Sequence, residues 1–320
     1  MQITNSPLGF FFARWAIASS IVPLYVSSYI LDISLDKLIS RSGPKNSFKP
    51  SSVLFTLTGD SYNMIVRSSP ASSFSLDVLP FFFGKKPSNG WELYFSLHGG
   101  GGVADEYNES LWIRHKSLYK LEQGILLTPR SPTNTWNMWH QDHIDLFFNK
   151  LIQNMIAFYD VDPNKIYLMG YSAGGDGVYQ LAPRMADRFA AASMMAGHPN
   201  DASPLGLRNM GFTIHMGEND SLYNRNKVAL EWKEKLSNLR ESDPEGYIHQ
   251  VKIYEGKGHQ ISHAKVKGLV DPKIDGLDSS GISWISNFTR NPYPKKVVWM
   301  QDDVMQKRFY WLKVNKPQIN

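Results

Sequence analysis

The sequence predicts an α/β domain with a mostly parallel central sheet and helices on both faces. Three observations carry that expectation. Strand-like and helix-like segments alternate from residue 53 to residue 254, the pattern that βαβ units produce. Within 165–169 (KIYLM), Ile166 to Met169 are apolar without a break, which is how a strand covered on both faces reads. In the stretch 143–159, Ile144, Phe147, Phe148, Leu151, Ile152, Met155 and Phe158 recur at intervals of three and four, the period of an amphipathic helix.

In chain order, strands are expected at 53–57, 62–67 and 73–83, then at 91–97 (WELYFSL), which runs into a glycine cluster, and at 125–128. The helix 143–159 follows, then a turn at Asp162-Pro163 and the strand 165–169. A helix of small residues starts after Ser172, followed by strands at 191–196 and 212–216, a helix at 228–239 and a strand at 250–254. The tail, 297–300 and 308–313, reads as a β-hairpin packed on the core. These expectations divide the chain into residues 1–50, a central domain at 51–290 and a C-terminal hairpin at 291–320. The first part contains the uncharged run 15–31 (WAIASSIVPLYVSSYIL). It has the low-edge length of a membrane span, interrupted by Pro23 and four serines, and lacks a clear cleavage site. An apolar arm packed on the domain is the adopted reading; a signal or anchor, with membrane contact through this segment, is the alternative. Ser42-Gly43-Pro44 and Lys49-Pro50-Ser51-Ser52 read as a linker.

Composition narrows the chemistry. With no cysteine among 320 residues, disulfides, thiolate nucleophiles and Cys-based metal sites are excluded. The net charge is +5, but 34 basic and 29 acidic residues are interspersed without a like-charge block. That pattern describes a mildly basic protein surface and gives no nucleic-acid partner.

Gly170-Tyr171-Ser172-Ala173-Gly174 is a G-x-S-x-G string between the 165–169 strand and a helix. That context is the strand–turn–helix elbow that presents a serine hydroxyl above a sheet edge, with small neighbours because strand and helix pack closely. Upstream, His98-Gly99-Gly100-Gly101-Gly102 ends the 91–97 strand. Unhindered glycine N–H groups suit an oxyanion hole, expected from Gly100 and Gly101 together with the N–H of Ala173. A phosphate-binding loop is disfavoured: no Lys-Ser/Thr pair follows, and Asp105 and Glu106 would repel phosphate.

The pairing of HGGGG with GYSAGG resembles the α/β-hydrolase superfamily, in particular its single-domain esterases of the polyhydroxybutyrate depolymerase-like, feruloyl esterase-like and dienelactone hydrolase-like kinds. The resemblance covers residues 53–289 and implies an α/β-hydrolase fold with a triad in the chain order Ser, acid, His. Residues 212–220 (FTIHMGEND) are similar to the family's acid loop, which makes Asp220 the expected acid, with Glu218 and Asp201 as competitors. Gly256-Lys257-Gly258-His259 makes His259 the expected base over His249 and His263, the latter read as starting a helix.

Trp136 and Trp139 are expected either to wall a substrate cleft or to pack in the core, and His98, His198 and Tyr171 to lie beside the site. His215 reads as a core histidine. His140 and His143 have a spacing that fits a metal, but without a third ligand they read as helix-start polar residues. No metal or cofactor is implied. The expected activity is hydrolysis of a small-molecule or polymeric carboxylic ester, with short acyl groups preferred, through an acyl-enzyme. The alternatives are a peptidase resembling the prolyl oligopeptidases and a catalytically silent binding protein on the same fold.

Overall fold

The computed structural model of the protein describes residues 52–58, 61–69, 72–261, 281–301, 304 and 306–315. The 15–31 segment and His263 lie outside them. The first three strands, β1 (Ser52–Thr58), β2 (Ser61–Ser69) and β3 (Ser72–Phe83), pair antiparallel in sequence order. β3 also pairs antiparallel with β5 (Gly124–Pro129). From there the sheet is parallel through β4 (Trp91–Leu97), β6 (Val161–Tyr171), β7 (Ala191–Met195), β8 (Gly211–Gly217) and β9 (His249–Tyr254). The nine strands run in the order β1-β2-β3-β5-β4-β6-β7-β8-β9.

The helices are α1 (Asp105–Leu118), α2 (Asp142–Tyr159), α3 (Ala173–Arg184), α4 (Arg225–Ser242) and the short α5 (Ile282–Ile285). Successive side chains of a strand point to opposite faces. Accordingly, Leu93, Phe95, Ile166 and Leu168 pack with α2, α3 and α4, through residues such as Phe148, Tyr179 and Trp232. Tyr94, Tyr167 and Met169 pack on the other face with Tyr119, just after α1, and Ile285 of α5. Burial on both sides explains why Ile166 to Met169 of β6 are apolar without alternation.

Three expectations are corrected. Asp162-Pro163 is not a turn: it lies in β6, where Trp91 pairs with Val161 but Leu93 with Ile166, so the register shifts. The chain leaves α2 one step earlier, at Asp160, whose left-handed backbone (φ 58°) caps the helix by donating its N–H to Met155 O. A Pro near the start of a strand is tolerated because it interrupts the ladder only there. The tail is shorter in strand than expected. Residues 297–300 are irregular, and the hairpin is β10 (Arg308–Phe309) with β11 (Leu312–Lys313). Phe309 is nevertheless fully buried and stacks on Trp299 at 5.5 Å. Helix α1 was not expected at all: its buried side chains include Asn108 and His115, and polar residues on the inward face hide the apolar period.

Candidate active site

Strand order reverses at β4. The chain passes from β4 to its neighbour β5 and then crosses back to β6 on the other side. In parallel sheets the loops leaving the carboxyl ends diverge at such a point and open a crevice. The glycine cluster after β4 and the G-x-S-x-G turn after β6 are the two loops that border it.

Ser172 links β6 to α3 with φ 59° and ψ −122°, a left-handed backbone that a side-chain-bearing residue adopts only when its surroundings impose it. The surroundings do so here. The Ser172 N–H donates to Met195 O at 3.0 Å, and a Cβ placed on Gly174 would stand 2.0 Å from Leu97 O. The elbow therefore requires its glycine, because α3 presses against the end of β4.

The structure brings Ser172, Asp220 and His259 together. Ser172 Oγ lies 2.9 Å from His259 Nε2, and His259 Nδ1 lies 2.7 Å from Asp220 Oδ2. The Asp220 carboxylate faces Nδ1, so Nδ1 carries the ring proton and Nε2 is left to accept one from the serine. Asp220 is buried, and its Oδ1 lies 3.9 Å from an Nη of the buried Arg225. The acid and base loops are joined: Asn219 N–H donates to Lys257 O at 2.8 Å, and Gly256 N–H to Glu218 Oε2 at 2.8 Å. Glu218, a competitor for the acid, is thus the tie between these loops. Asp201, the other competitor, accepts from Gln180 at 2.8 Å. His249 turns away, with Nδ1 at Tyr247 O and Nε2 near Ser237 Oγ.

The oxyanion expectation needs one correction. The N–H of Gly101 is occupied, donating to Asn108 Oδ1 at 2.9 Å. Gly100 remains, with Ala173, whose N–H is one of the first four of a helix and has no intrahelical acceptor. Asn108, which the sequence reading did not single out, holds this loop through both polar groups of Gly101.

Trp136 is largely exposed beside this loop, its Cα 3.3 Å from where a Cβ on Gly101 would sit. Trp139 does not wall the cleft. It is fully buried and donates its Nε1–H to His98 O at 2.9 Å, because an indole whose N–H has a backbone partner is stable in the core. His98 is also buried and lies beneath the site rather than in it. Its Nε2 accepts from Ser131 N–H at 3.0 Å and its Nδ1–H donates to Gly99 O at 2.7 Å. Burial pushes the His98 imidazole down to about 3, so it stays neutral. The Tyr171 hydroxyl is committed to the backbone of His259 and Ile261. His198 donates its N–H to Asp176 Oδ1 at 2.6 Å, and burial pushes the Asp176 carboxyl up to about 6. His215 is a core residue, as expected, between Thr213 Oγ1 and Tyr254 Oη.

Beside Trp136 an open cleft of about 530 Å³ is lined by polar side chains including His140, His143, Gln180 and Asp201. Among the described residues no three His, Asp or Glu side chains converge as a metal site would require.

Residues 121–271, which span Ser172, Asp220 and His259, match the model of the dienelactone hydrolase family. A thermostable esterase of known structure superposes with a TM-score of 0.50 at 19% identity, over 72% of this chain and 63% of its own. The chain has the α/β-hydrolase fold. The chain spans less than two thirds of that esterase's length. A fluorophosphonate-binding serine hydrolase of Staphylococcus aureus aligns at 15% identity over 71% of this chain and 97% of its own (TM-score 0.45). A carboxylesterase from Mesorhizobium loti aligns at 18% identity over 59% and 89%, respectively (TM-score 0.41). No curated protein matches the sequence.

Proposed function

We propose that the protein is a serine hydrolase of carboxylic esters that works through an acyl-enzyme. The observation that carries the reading is the unbroken chain Ser172 Oγ, His259 Nε2, His259 Nδ1, Asp220 Oδ2, with steps of 2.9 and 2.7 Å across its two hydrogen bonds. Ser172 Oγ attacks the carbonyl carbon while its proton moves to His259 Nε2. The carbonyl oxygen becomes an alkoxide facing the N–H groups of Gly100 and Ala173. As the tetrahedral intermediate collapses, the C–O bond to the alcohol breaks and Nε2 returns the proton to the departing oxygen. Water then repeats the sequence on the acyl-enzyme, releasing the acid and restoring Ser172. Asp220 remains a carboxylate throughout and holds the imidazole in the required tautomer.

Short acyl groups are the preferred substrates in this reading. Between β7 and β8 the chain makes only a loop and one 3₁₀ turn, Pro204–Asn209, so no long helical lid covers the serine from this side. A long chain would leave most of its methylenes in water, and each contributes about 0.8 kcal/mol only where it is buried.

A fluorophosphonate probe should label the purified protein on Ser172 alone, and Ser172→Ala should abolish labelling. Single removals of a triad member typically cost about 10⁴- to 10⁶-fold in kcat. Across chromogenic esters from acetate to palmitate, kcat/KM should peak at or before butyrate. Full turnover by a folded Ser172→Ala variant would end the reading, and a steady rise to twelve or more carbons would remove its short-chain part. Cleavage of peptide amides with none of esters would make the protein a peptidase.

A further inference from the structure

We propose that Asn108 is a positioning residue that builds the oxyanion site by fixing the peptide planes around Gly100. The proposal rests on the ester-hydrolase reading and concerns how its oxyanion donor is aimed. Asn108 is fully buried in the first turn of α1. Its carboxamide grips Gly101 from both sides: Oδ1 accepts the Gly101 N–H at 2.9 Å, and Nδ2 donates to Gly101 O at 2.9 Å. Nδ2 also reaches Val103 O at 3.2 Å.

These two groups of Gly101 belong to different peptide planes. Its N–H lies in the plane joining Gly100 to Gly101, and its C=O in the plane joining Gly101 to Gly102. One side chain therefore holds two consecutive planes. The plane before them, joining Gly99 to Gly100, is held by His98, whose Nδ1–H donates to Gly99 O at 2.7 Å. In a trans peptide the C=O and N–H point in opposite directions, so anchoring Gly99 O on His98 turns the Gly100 N–H away from the core. Both planes that meet at Gly100 Cα are thus fixed by buried side chains, while the Gly100 N–H itself is left for a ligand.

Such fixing is needed because of the backbone. Gly100 and Gly101 have φ of 114° and 106°, and glycine reaches many other conformations at little cost. Four glycines in a row would leave the donor wandering unless something outside the loop held it. The fit around Asn108 is close: a Cβ on Gly100 would stand 2.0 Å from Asn108 Oδ1. A donor held in place before the charge develops needs no reorganisation when it does, which is where oxyanion stabilisation gets its strength.

Two variants test the proposal, Asn108→Ala and the nearly isosteric Asn108→Asp, which keeps an acceptor for Gly101 N–H but, when ionised, cannot donate to Gly101 O. Titration to completion with a fluorophosphonate first gives the concentration of competent sites. Per titrated site, kcat on a short acyl ester should fall about 10- to 100-fold, somewhat less than the loss of a whole oxyanion donor. KM should change little. Affinity for a boronic acid, which forms a tetrahedral anion on the serine, should fall by the same factor as kcat/KM. A purely structural role would lower the titratable fraction and leave kcat per site and boronate affinity unchanged, which would overturn the proposal. If the unsubstituted protein fails to label at Ser172, the ester-hydrolase reading falls first, and the two failures are told apart.

Discussion

The phenol oxygen of Tyr171 bridges the base loop: it donates to the backbone carbonyl of His259 and accepts the N–H of Ile261 at 2.9 Å. The residue before the nucleophile thereby holds the backbone of the residue that faces it, with the two rings edge to face at 5.9 Å. Tyr171→Phe keeps the ring and removes the bridge. The variant should fold, lose about 1–3 kcal/mol for the two unpaired backbone groups, and lose about 10- to 100-fold in kcat as the imidazole drifts from Ser172. Thermal unfolding and steady-state kinetics separate these effects. Unchanged kcat would mean that the Asn219–Lys257 and Glu218–Gly256 bonds hold the base loop unaided.

Asp176 creates a pH dependence of stability whose sign follows from its environment. Burial raises its carboxyl from 3.8 to about 6. Between those values the folded chain keeps a proton that the unfolded chain has released, so stability is fullest below pH 3.8 and falls as pH rises toward 6. The loss is about 3 kcal/mol at most. Asp176→Asn keeps an oxygen for the His198 N–H but carries no charge to desolvate. In urea unfolding the variant should be more stable than the native chain at pH 8, with the gap nearly closed at pH 4. An equal difference at both pH values would show that the charge of Asp176 is fully compensated by Arg225 and His259.

Removing a second buried carboxylate should destabilise the fold. Asp145, in the first turn of α2, accepts from Arg184 Nε and Nη2 at 3.0 and 2.6 Å, and from Gln306 Nε2 at 2.7 Å. Both members of the ion pair are almost wholly inaccessible. Asp145→Ala would leave a guanidinium buried without its partner, so a loss of about 3–5 kcal/mol is expected. Pairing Asp145→Leu with Arg184→Met should recover most of it, since an apolar pair of similar volume carries no desolvation cost. Chemical denaturation of the single and double variants checks this. If the double variant is as unstable as the single one, the pair contributes beyond mutual neutralisation, through Gln306 and the C-terminal segment it anchors.

Much of this architecture was legible in the sequence because local and long-range signals agreed. Leu93 to Phe95 and Ile166 to Met169 are apolar without alternation since both faces of β4 and β6 are covered, and Gly174 is needed where α3 meets β4. What escaped reading depends on contacts between distant residues. Helix α1 was hidden because Asn108 and His115 put polar groups on its inward face, and those groups find partners outside the helix, among them Gly101 and Ser96. The same contact removes Gly101 as a free donor, which no glycine count reveals. Trp136 and Trp139 stand three apart in one irregular loop, and no period indicates that Trp139 alone finds the His98 carbonyl.

The closeness of α3 to β4 yields the last prediction. A Cβ on Gly174 would meet Leu97 O at 2.0 Å and His98 O at 2.9 Å. Both are backbone atoms at the end of a central strand, so neither can swing aside as a flexible side chain would. Gly174→Ala must push the start of α3 away from β4, and with it Ser172 away from the glycine loop that supplies Gly100. Overpacking of this kind costs about 1–3 kcal/mol, and a displacement of the nucleophile near 1 Å costs about 100-fold in rate. Gly258 is the control: it lies next to His259, yet a Cβ there meets nothing within 4 Å. Gly258→Ala should leave stability within about 0.5 kcal/mol of the native chain. Thermal unfolding and fluorophosphonate labelling rates should therefore separate the two substitutions clearly, with Gly174→Ala impaired in both measurements. Equal tolerance of both would mean that α3 slides along β4 without disturbing the elbow, and that the strained backbone of Ser172 is set by the Met195 contact instead.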